Sequence, residues 1–193
     1  MEWKTLIEDY VDKEMNFLKT MDKDIIEQMI STLLEAYESE STIYVFGNGG
    51  SASTASHMAN DFNKGISEYT KKKFRVCCLN DNVATVMAIA NDIGYDDIFS
   101  FQLKNKVKPG DVVIGISGSG NSQNVINALN YTKSIGGKTI GWVGFEGGVV
   151  SDISDIVFHV PINNMQIVED FHLILNHLLM YMIMQKWNIK SHY

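Results

Sequence analysis

The chain has 193 residues, of which 45% are hydrophobic and 20% are charged, and its formal net charge is −7. This length supports one sizeable domain and is short for two. The acidic balance argues against general binding to nucleic acid or to an anionic membrane.

The first 40 residues predict two helices. Apolar residues recur at helical spacing between residues 6 and 18 and, more regularly, between residues 25 and 37. Asp22 or Asp24 could cap the second helix. The N-terminal residues are charged and lack the apolar segment of a secretory signal.

Five short apolar runs then alternate with helical patterns. The runs have the length of strands, and they cover residues 42–46, 74–79, 112–116, 139–143 and 156–160. The helical patterns cover residues 52–62, 82–90, 97–107, 125–134 and 148–154. Such alternation predicts an α/β fold with a parallel sheet and helices on both faces. The adjacent Cys77 and Cys78 fit a reduced, cytoplasmic protein better than a disulfide framework or a zinc knuckle.

The closing segment, residues 165–187, predicts a long helix that is apolar on most of its faces. We expect it to be buried, partly against another subunit. No run reaches the ~20 apolar residues that a membrane-spanning helix needs, so we expect no membrane span.

Two loops that follow predicted strands are rich in glycine and serine: GNGGS at 47–51 and SGSGNS at 117–122. Ligands of parallel sheets bind beyond the carboxyl ends of the strands. Glycine lets the backbone approach a ligand, the next helix directs free N–H groups at the loop, and serine adds hydroxyl donors. These features favour a phosphate held without lysine or arginine. The alternative is that both are ordinary turns in which Ser51 and Ser122 only cap helices.

The second loop is the stronger phosphate candidate. Ser117, Ser119 and Ser122 supply three hydroxyls within six residues. Neither loop matches GxxxxGK[ST] or GxGxxG, which disfavours a nucleoside triphosphate or a dinucleotide.

A third loop carries Asn91 and Asp92, followed by Gly94. An amide beside a carboxylate suits the hydroxyls of a sugar. The alternative is a plain helix C-terminal turn with Gly94 as its left-handed residue.

His57 and Asp61 are four residues apart, so they share one face of the helix that follows the first loop. Imidazole and carboxylate are ordinary zinc ligands. A pair at this spacing can equally be a surface hydrogen bond.

Glu169 and His177 lie eight residues apart on the closing helix, which corresponds to ~12 Å of rise. One compact site using both from the same chain is awkward, and Asp170 lies closer to the His177 face. Either the helix starts irregularly near Glu169, or the two groups serve sites of different subunits. His177 could also be a core histidine. His172 is interpreted as structural, and His159 and His192 carry no signal.

Four segments, taken together, resemble a known family: GNGGSA with a histidine at 57, AIANDIGYDDIF at 88–99, GDVVIGISGSGNSQNV at 110–125 and EDFHLILNH at 169–177. They are similar to sugar isomerase (SIS) domain proteins and, within these, to the phosphoheptose isomerases. The resemblance implies a three-layer αβα fold with a flavodoxin-like, five-stranded parallel sheet, N-terminal helices and a long C-terminal helix. It implies a single SIS domain over residues 1–193, with an N-terminal helical hairpin (1–40) used in oligomerisation and an α/β core (41–187).

The resemblance also implies roles for particular residues. Residues that would contact the sugar are Asn48, Gly49, Gly50, Ser51, Asn91, Asp92 and Glu169. Residues that would hold the phosphate are Ser117, Gly118, Ser119 and Ser122. The metal and acid–base positions fall on His57, Asp61, Glu169 and His177.

The implied reaction interconverts a ketose phosphate and an aldose phosphate through an enediol, with sedoheptulose 7-phosphate and D-glycero-D-manno-heptose 7-phosphate as the expected pair. It requires a base, an acid and a group that stabilises the enediolate. The resemblance assigns Asp61 and His177 as the acid–base pair. It further implies one zinc ion per site in some members, a phosphorylated sugar as ligand, and a homotetramer with sites at subunit interfaces.

The chain departs from the family pattern at several positions. Asp61 stands in place of glutamate, Glu169 in place of glutamine, and Gly118 in place of threonine. Gln166 replaces an aspartate, and Gly65 stands where an arginine is expected. These changes leave the phosphate loop usable and alter the sugar end of the site.

Two other classes of function remain open. A non-catalytic SIS module would bind a phosphosugar or a protein partner such as a replication initiator, but it would not need all four polar positions. A phosphosugar aldolase or deaminase ranks last, because no lysine near the loops is placed for a Schiff base.

Overall fold

The structure is a computed structural model that describes residues 2–190. Its strands are β1 (Ile43–Gly47), β2 (Val76–Cys78), β3 (Val112–Ser117), β4 (Lys138–Gly144) and β5 (Ile156–Val160). Its helices are α1 (Trp3–Thr20), α2 (Lys23–Glu38), α3 (Gly50–Asn60), α4 (Val83–Asp92), α5 (Ser100–Leu103), α6 (Gln123–Ser134), α7 (Gly148–Ile153) and α8 (Met165–Lys186).

Within residues 2–190 the strands form one parallel sheet of five strands in the order β2-β1-β3-β4-β5. This is the flavodoxin-like order, and it confirms the predicted fold class. The chain adds β2 on one side of β1 and β3 on the other, so the strand order reverses between β1 and β3. These two strands are neighbours, with Gly47 opposite Ile116. The loops after these two strands are the two glycine-serine loops, so the fold places them side by side.

Alternating side chains of the strands divide the core into two layers. In β1, Ile43 and Val45 face a cluster shared with α2, α3 and α8, whereas Tyr44 and Phe46 face a cluster shared with α5, α6 and α7. Helices therefore cover both faces of the sheet, as a buried parallel sheet requires.

The two N-terminal helices form as predicted, and Asp22 is the residue that caps the second. Its carboxylate accepts hydrogen bonds from the backbone N–H groups of Asp24 (2.9 Å) and Ile25 (3.1 Å). Helix α1 touches the core through Phe17, whose ring packs edge-on against Phe171. Most of its remaining apolar side chains are exposed.

The helix expected over residues 97–107 is much shorter in the structure. A 3₁₀ turn covers Tyr95–Asp97, and α5 covers only Ser100–Leu103. The buried residues Phe99, Leu103 and Val107 create a helical spacing, but the backbone leaves the helical conformation at Lys104 (ψ 127°) and turns at Asn105 (φ 61°), which ends the helix.

Helix α8 corrects the expectation about membrane spans. By length and composition its 22 residues could cross a bilayer, so the expectation that no segment could do so is wrong on those criteria. Half of its most apolar 18-residue window is buried inside the fold, where Phe171 and Leu175 pack in the core. Packing against the sheet and against α2 and α3 accounts for the buried half of its apolar side chains.

Candidate functional site

Helix α3 starts directly after β1 and delivers two of the predicted site residues. Gly49 precedes it with a positive φ of 56°, a conformation that glycine adopts at little cost. His57 lies in its last turn, and Asp61 stands where α3 passes into a π-helical segment, Asp61–Ile66. π-Helical turns inside helices occur frequently at functional sites.

His57, Asp61 and His177 come together in three dimensions. Nε2 of His57 lies 3.3 Å from Oδ2 of Asp61, and Nε2 of His177 lies 3.8 Å from the same oxygen. The two Nε2 atoms are 3.1 Å apart. The carboxylate side chain is 12% exposed, whereas the imidazoles of His57 and His177 are 44% and 53% exposed. The group therefore opens to solvent on its histidine side.

The spacing of these three atoms suits a metal ion. Ligands about 2.0–2.2 Å from a tetrahedral zinc ion lie roughly 3.3–3.5 Å from one another. The three separations in the cluster bracket that value. Two imidazoles and one carboxylate are also the donor set of many catalytic zinc sites, in which a fourth position stays open. The residues present thus fit a zinc ion.

Glu169 does not join this cluster within the chain. Its carboxylate lies at the start of α3, where a Cβ atom on Gly50 would come within 2.5 Å of Oε2 and 2.6 Å of Oε1. Helix α8 runs without interruption from Met165 past both Glu169 and His177, so the irregular helix start considered above is not found. A shared site for both groups would need different subunits, and that remains a prediction.

Asn176 contacts the site and was not singled out from the sequence. It is 0% exposed, and its Nδ2 donates a 2.7 Å hydrogen bond to Oδ2 of Asp61. The sequence signals were a polar residue beside His177 in a largely apolar stretch of α8 and its place inside the segment EDFHLILNH, to which the resemblance assigned no role at this position.

The second glycine-serine loop leads from β3 into α6, as predicted. Oγ of Ser117 donates a 3.0 Å hydrogen bond to Oγ of Ser122. Ser122 stands at the N-cap of α6, yet within the described structure its side chain makes no capping hydrogen bond. Ser119 is exposed. The simple capping interpretation does not hold for Ser122, and the loop retains hydroxyls beside a helix N-terminus.

Gly118 is the point of this loop that α8 approaches most closely. Its carbonyl accepts a 2.8 Å hydrogen bond from the N–H of Gly144. A Cβ atom on Gly118 would come within 2.6 Å of Sδ of Met165. The thioether of Met165 thus lies against the loop where the family pattern has a threonine side chain.

Asn48 ties the first loop to the second. Its Nδ2 donates to Oδ1 of Asn124 (2.9 Å), and Nδ2 of Asn124 donates back to Oδ1 of Asn48 (3.0 Å). The hydroxyl of Tyr95 donates to the same Oδ1 (2.9 Å). Sequence reasoning missed Asn124 and Tyr95, because their distance from Asn48 along the chain gives no local pattern. Ser51 lies inside α3 rather than at its cap and is 5% exposed, next to Gly47.

The third loop ends α4 in a C-terminal turn, but Gly94 is not in the left-handed helical conformation that the alternative expected, because its ψ is 152°. Gly94 has a φ of 150°, and its N–H donates to the carbonyl of Ile89 at 2.9 Å. Asn91 and Asp92 are exposed in the last turn of α4, where Nδ2 of Asn91 donates to Oδ1 of Asp92 at 2.7 Å. Tyr95 follows directly and reaches Asn48, so this loop adjoins the first one. Contact of Asn91 and Asp92 with a sugar remains a prediction.

The other two histidines that the structure describes, His159 and His172, are not part of the cluster. His172 is 1% exposed beside Trp142, and burial lowers its pKa from 6.5 to about 4, which agrees with a structural role. Nε2 of His159 lies 2.8 Å from the carbonyl of Phe145. His192 lies outside the described residues.

Comparison with known proteins identifies the family of the chain. The SIS domain model matches residues 8–144. A phosphoheptose isomerase of Helicobacter pylori (strain P12) is 33% identical over 181 residues, which cover 90% of this chain and 94% of the relative. A phosphoheptose isomerase of Aliarcobacter butzleri (strain RM4018) is 35% identical over 160 residues, with 83% and 84% covered.

The fold agrees with this similarity in sequence. The solved structure of a phosphoheptose isomerase from Neisseria gonorrhoeae matches with a TM-score of 0.85 and 26% identity, covering 94% of this chain and 98% of that one. Because relatives above 30% identity span most of the chain, the family is shown by sequence as well as by fold. The chain belongs to the SIS-domain proteins and, among them, to the phosphoheptose isomerase family.

Proposed function

We propose that the chain interconverts sedoheptulose 7-phosphate and D-glycero-D-manno-heptose 7-phosphate through an enediol, with Asp61 and His177 as the acid–base pair. The observation that carries the proposal is the convergence of three side chains. His57 and Asp61 lie on the helical segment that follows the first glycine-serine loop, and His177 lies on α8. Relatives named phosphoheptose isomerase support the choice of reaction.

The phosphate is assigned to the second loop. Ser117, Ser119 and Ser122 supply hydroxyls, and the N-terminus of α6 adds free N–H groups and a positive dipole end. This arrangement neutralises a dianion without a lysine or an arginine. The proposal places the sugar chain along the first and third loops, against Asn48, Gly49, Gly50, Ser51, Asn91, Asp92 and Glu169.

The reaction moves one proton between C1 and C2 of the sugar and one between the two oxygens. The carboxylate of Asp61 suits removal of the carbon-bound proton, because it is mostly buried and weakly solvated. His177 is half-exposed on the open side of the cluster, where its imidazole can exchange a proton with a substrate oxygen. The two groups are close enough to act on adjacent atoms of one substrate.

The proposal includes zinc held by His57, Asp61 and His177 through the three atoms that converge, which would leave the second carboxylate oxygen of Asp61 and Nδ1 of His177 for proton transfer. Bound zinc would supply a Lewis acid that polarises the carbonyl and stabilises the enediolate. Glu169 of the same chain lies at the other end of α3, so a role as a further ligand would require Glu169 of another subunit.

A homotetramer with sites between subunits is part of the proposal. Apolar side chains of α1 are largely exposed, with Trp3 at 80% and Ile7 at 61%, and Met87 of α4 is 67% exposed. A second copy would cover such surfaces, and the histidine side of the cluster is open to one. A cytoplasmic location is supported by two free cysteines, Cys77 and Cys78.

Isomerase assays with purified protein test the proposal. Turnover of sedoheptulose 7-phosphate is expected, with a loss of about 100-fold or more in kcat for Asp61→Asn and for His177→Asn. Asp152→Asn, an exposed site on α7, is the matched control. No turnover of any ketose phosphate, with or without zinc, would contradict the proposal; retained phosphosugar-induced thermal stabilisation in that case would indicate a binding module.

A further inference from the structure

We propose that Asn176 is a positioning residue that holds the Asp61 carboxylate in the orientation facing His57 and His177. This inference rests on the proposed function, in which Asp61 is an acid–base and metal-binding group. It adds a residue that neither the sequence pattern nor the family resemblance had placed in the site.

The burial of Asn176 is the first argument. Asn176 is 0% exposed, in a part of α8 where Leu175 and Leu179 pack in the core. Burying an amide costs free energy unless its polar atoms find partners. Its Nδ2 has Asp61 as partner, but its Oδ1 has none among residues 2–190. A leucine at this position would avoid the free-energy cost of burying an unpaired amide oxygen. The hydrogen bond to Asp61 is therefore the interaction that the amide provides.

The geometry of the carboxylate is the second argument. A carboxylate oxygen carries two lone pairs, and the 2.7 Å hydrogen bond from Asn176 occupies one of those on Oδ2. The same oxygen lies 3.3 Å from Nε2 of His57 and 3.8 Å from Nε2 of His177. The buried donor therefore selects the oxygen that faces the imidazoles and restricts rotation of the side chain.

The position on α8 is the third argument. Asn176 and His177 are consecutive residues, and both reach Asp61. Asn176 approaches from the buried side and His177 from the exposed side. The carboxylate thus lies between two groups of one rigid helix, and the hydrogen bond from Asn176 is the one that holds it, as hydrogen-bonding partners of metal ligands fix ligand orientation.

Asn176→Leu tests the inference, because leucine has the same number of side-chain heavy atoms, branched at the same carbon, and lacks the donor. We expect kcat for sedoheptulose 7-phosphate to fall about 10–100-fold while KM changes less than about 2-fold. Zinc affinity, measured by chelator competition without substrate, is expected to fall by a similar factor. Thermal unfolding shows whether the variant is folded, and Asn176→Ala replaces it if leucine is not accommodated.

Met180→Leu is the matched control. Met180 lies one turn further along α8, and its side chain contacts the π-helical segment at Gly65 without a polar contact to Asp61. This variant should keep the wild-type kcat and zinc affinity, so any loss seen only for Asn176 variants belongs to the amide.

A double-mutant cycle with Asp61→Asn separates positioning from stability. If Asn176 acts through the carboxylate, Asn176→Leu should cost almost nothing further in zinc affinity once Asp61 is changed. Additive losses, or a folded Asn176→Leu protein with wild-type kcat and zinc affinity, would overturn the inference. An inactive wild-type protein would instead contradict the proposed function, so the two failures are distinguishable.

Discussion

Nε2 of His57 lies 3.1 Å from Nε2 of His177, although the two residues are 120 positions apart in the chain. Their rings meet edge-on, with centroids 4.9 Å apart and planes at 68°. Two imidazole nitrogens at this distance cannot both carry a proton without conflict, so they share one proton or a cation.

The first prediction is that each of these histidines contributes to zinc affinity. His57→Ala and His177→Ala should each weaken zinc binding by about 100-fold or more, because each removes one of three ligands. Chelator competition on the purified protein measures the effect. His159→Ala is the control, since His159 bonds to the carbonyl of Phe145 away from the cluster. Equal zinc affinity in all four proteins would show that the pair shares a proton only.

The second prediction concerns Gly50 and Glu169. Gly50→Ala should lower the unfolding midpoint slightly and the activity more clearly, because the new methyl group would lie 2.5–2.7 Å from the Glu169 carboxylate and displace the end of that flexible side chain. Adding Glu169→Ala should restore the midpoint by removing the clash. Differential scanning fluorimetry on both variants measures this coupling. Gly49→Ala is the contrast: its Cβ would meet no described atom within 4 Å, so its cost would come from the positive φ alone. If the double variant is no more stable than Gly50→Ala, the clash is not the cause.

The third prediction concerns Gly118 and Met165. Gly118→Thr should raise KM for the sugar phosphate several-fold, because its Cβ would lie 2.6 Å from Sδ of Met165 and displace the phosphate loop. Met165→Ala should relieve the contact, so KM of the double variant should return toward the wild-type value. Steady-state kinetics of the single and double variants measure these changes in KM. A raised KM that Met165→Ala leaves unchanged would indicate that the loop itself rejects a side chain.

The fourth prediction is a dependence of stability on pH that arises from His172. Burial lowers its pKa from 6.5 to about 4, so the unfolded chain binds this proton at a higher pH than the folded protein does. Its contribution to stability is complete above pH 6.5 and is lost as the pH falls toward 4, by up to about 3 kcal/mol.

Urea unfolding of wild-type protein and His172→Leu between pH 4.5 and 7.5 tests this. The wild type should lose more stability on acidification than the variant does. Asp155 must be allowed for: burial alone would raise its pKa, but hydrogen bonds from Thr139 and the charges of Lys138 and Lys133 together outweigh burial and lower it. The contribution of Asp155 to stability also decreases as the pH decreases. It is the same in the wild type and in His172→Leu, so it cancels when the two pH profiles are compared. Parallel pH profiles would contradict the assignment to His172.

Local pattern predicted much of the fold and part of the site. The alternation of apolar runs with helical segments predicted the parallel sheet, and the i, i+4 spacing predicted that His57 and Asp61 share a face, which their 3.3 Å contact confirms. The link from His177 to these residues came from the family resemblance, because no local spacing relates residues on α3 and α8.

What the sequence could not supply were contacts between distant segments. Asn176 and Tyr95 each meet a partner that tertiary folding brings close, so their neighbours in the chain carry no sign of it. The helix expected over residues 97–107 failed for a related reason. Burial of Phe99 and Val107 produces a helical spacing whether or not the backbone between them is helical.

The reciprocal amide pair of Asn48 and Asn124 has a consequence for how the molecule discriminates between sugars. The pair locks the first loop to the start of α6, with hydrogen bonds of 2.9 and 3.0 Å in both directions. The gap between the first loop and the serine loop is therefore set before any substrate arrives. The width of this gap therefore selects among sugars that contact both loops. A sugar whose carbon chain has the wrong length could bind only if the hydrogen bonds between Asn48 and Asn124 were broken.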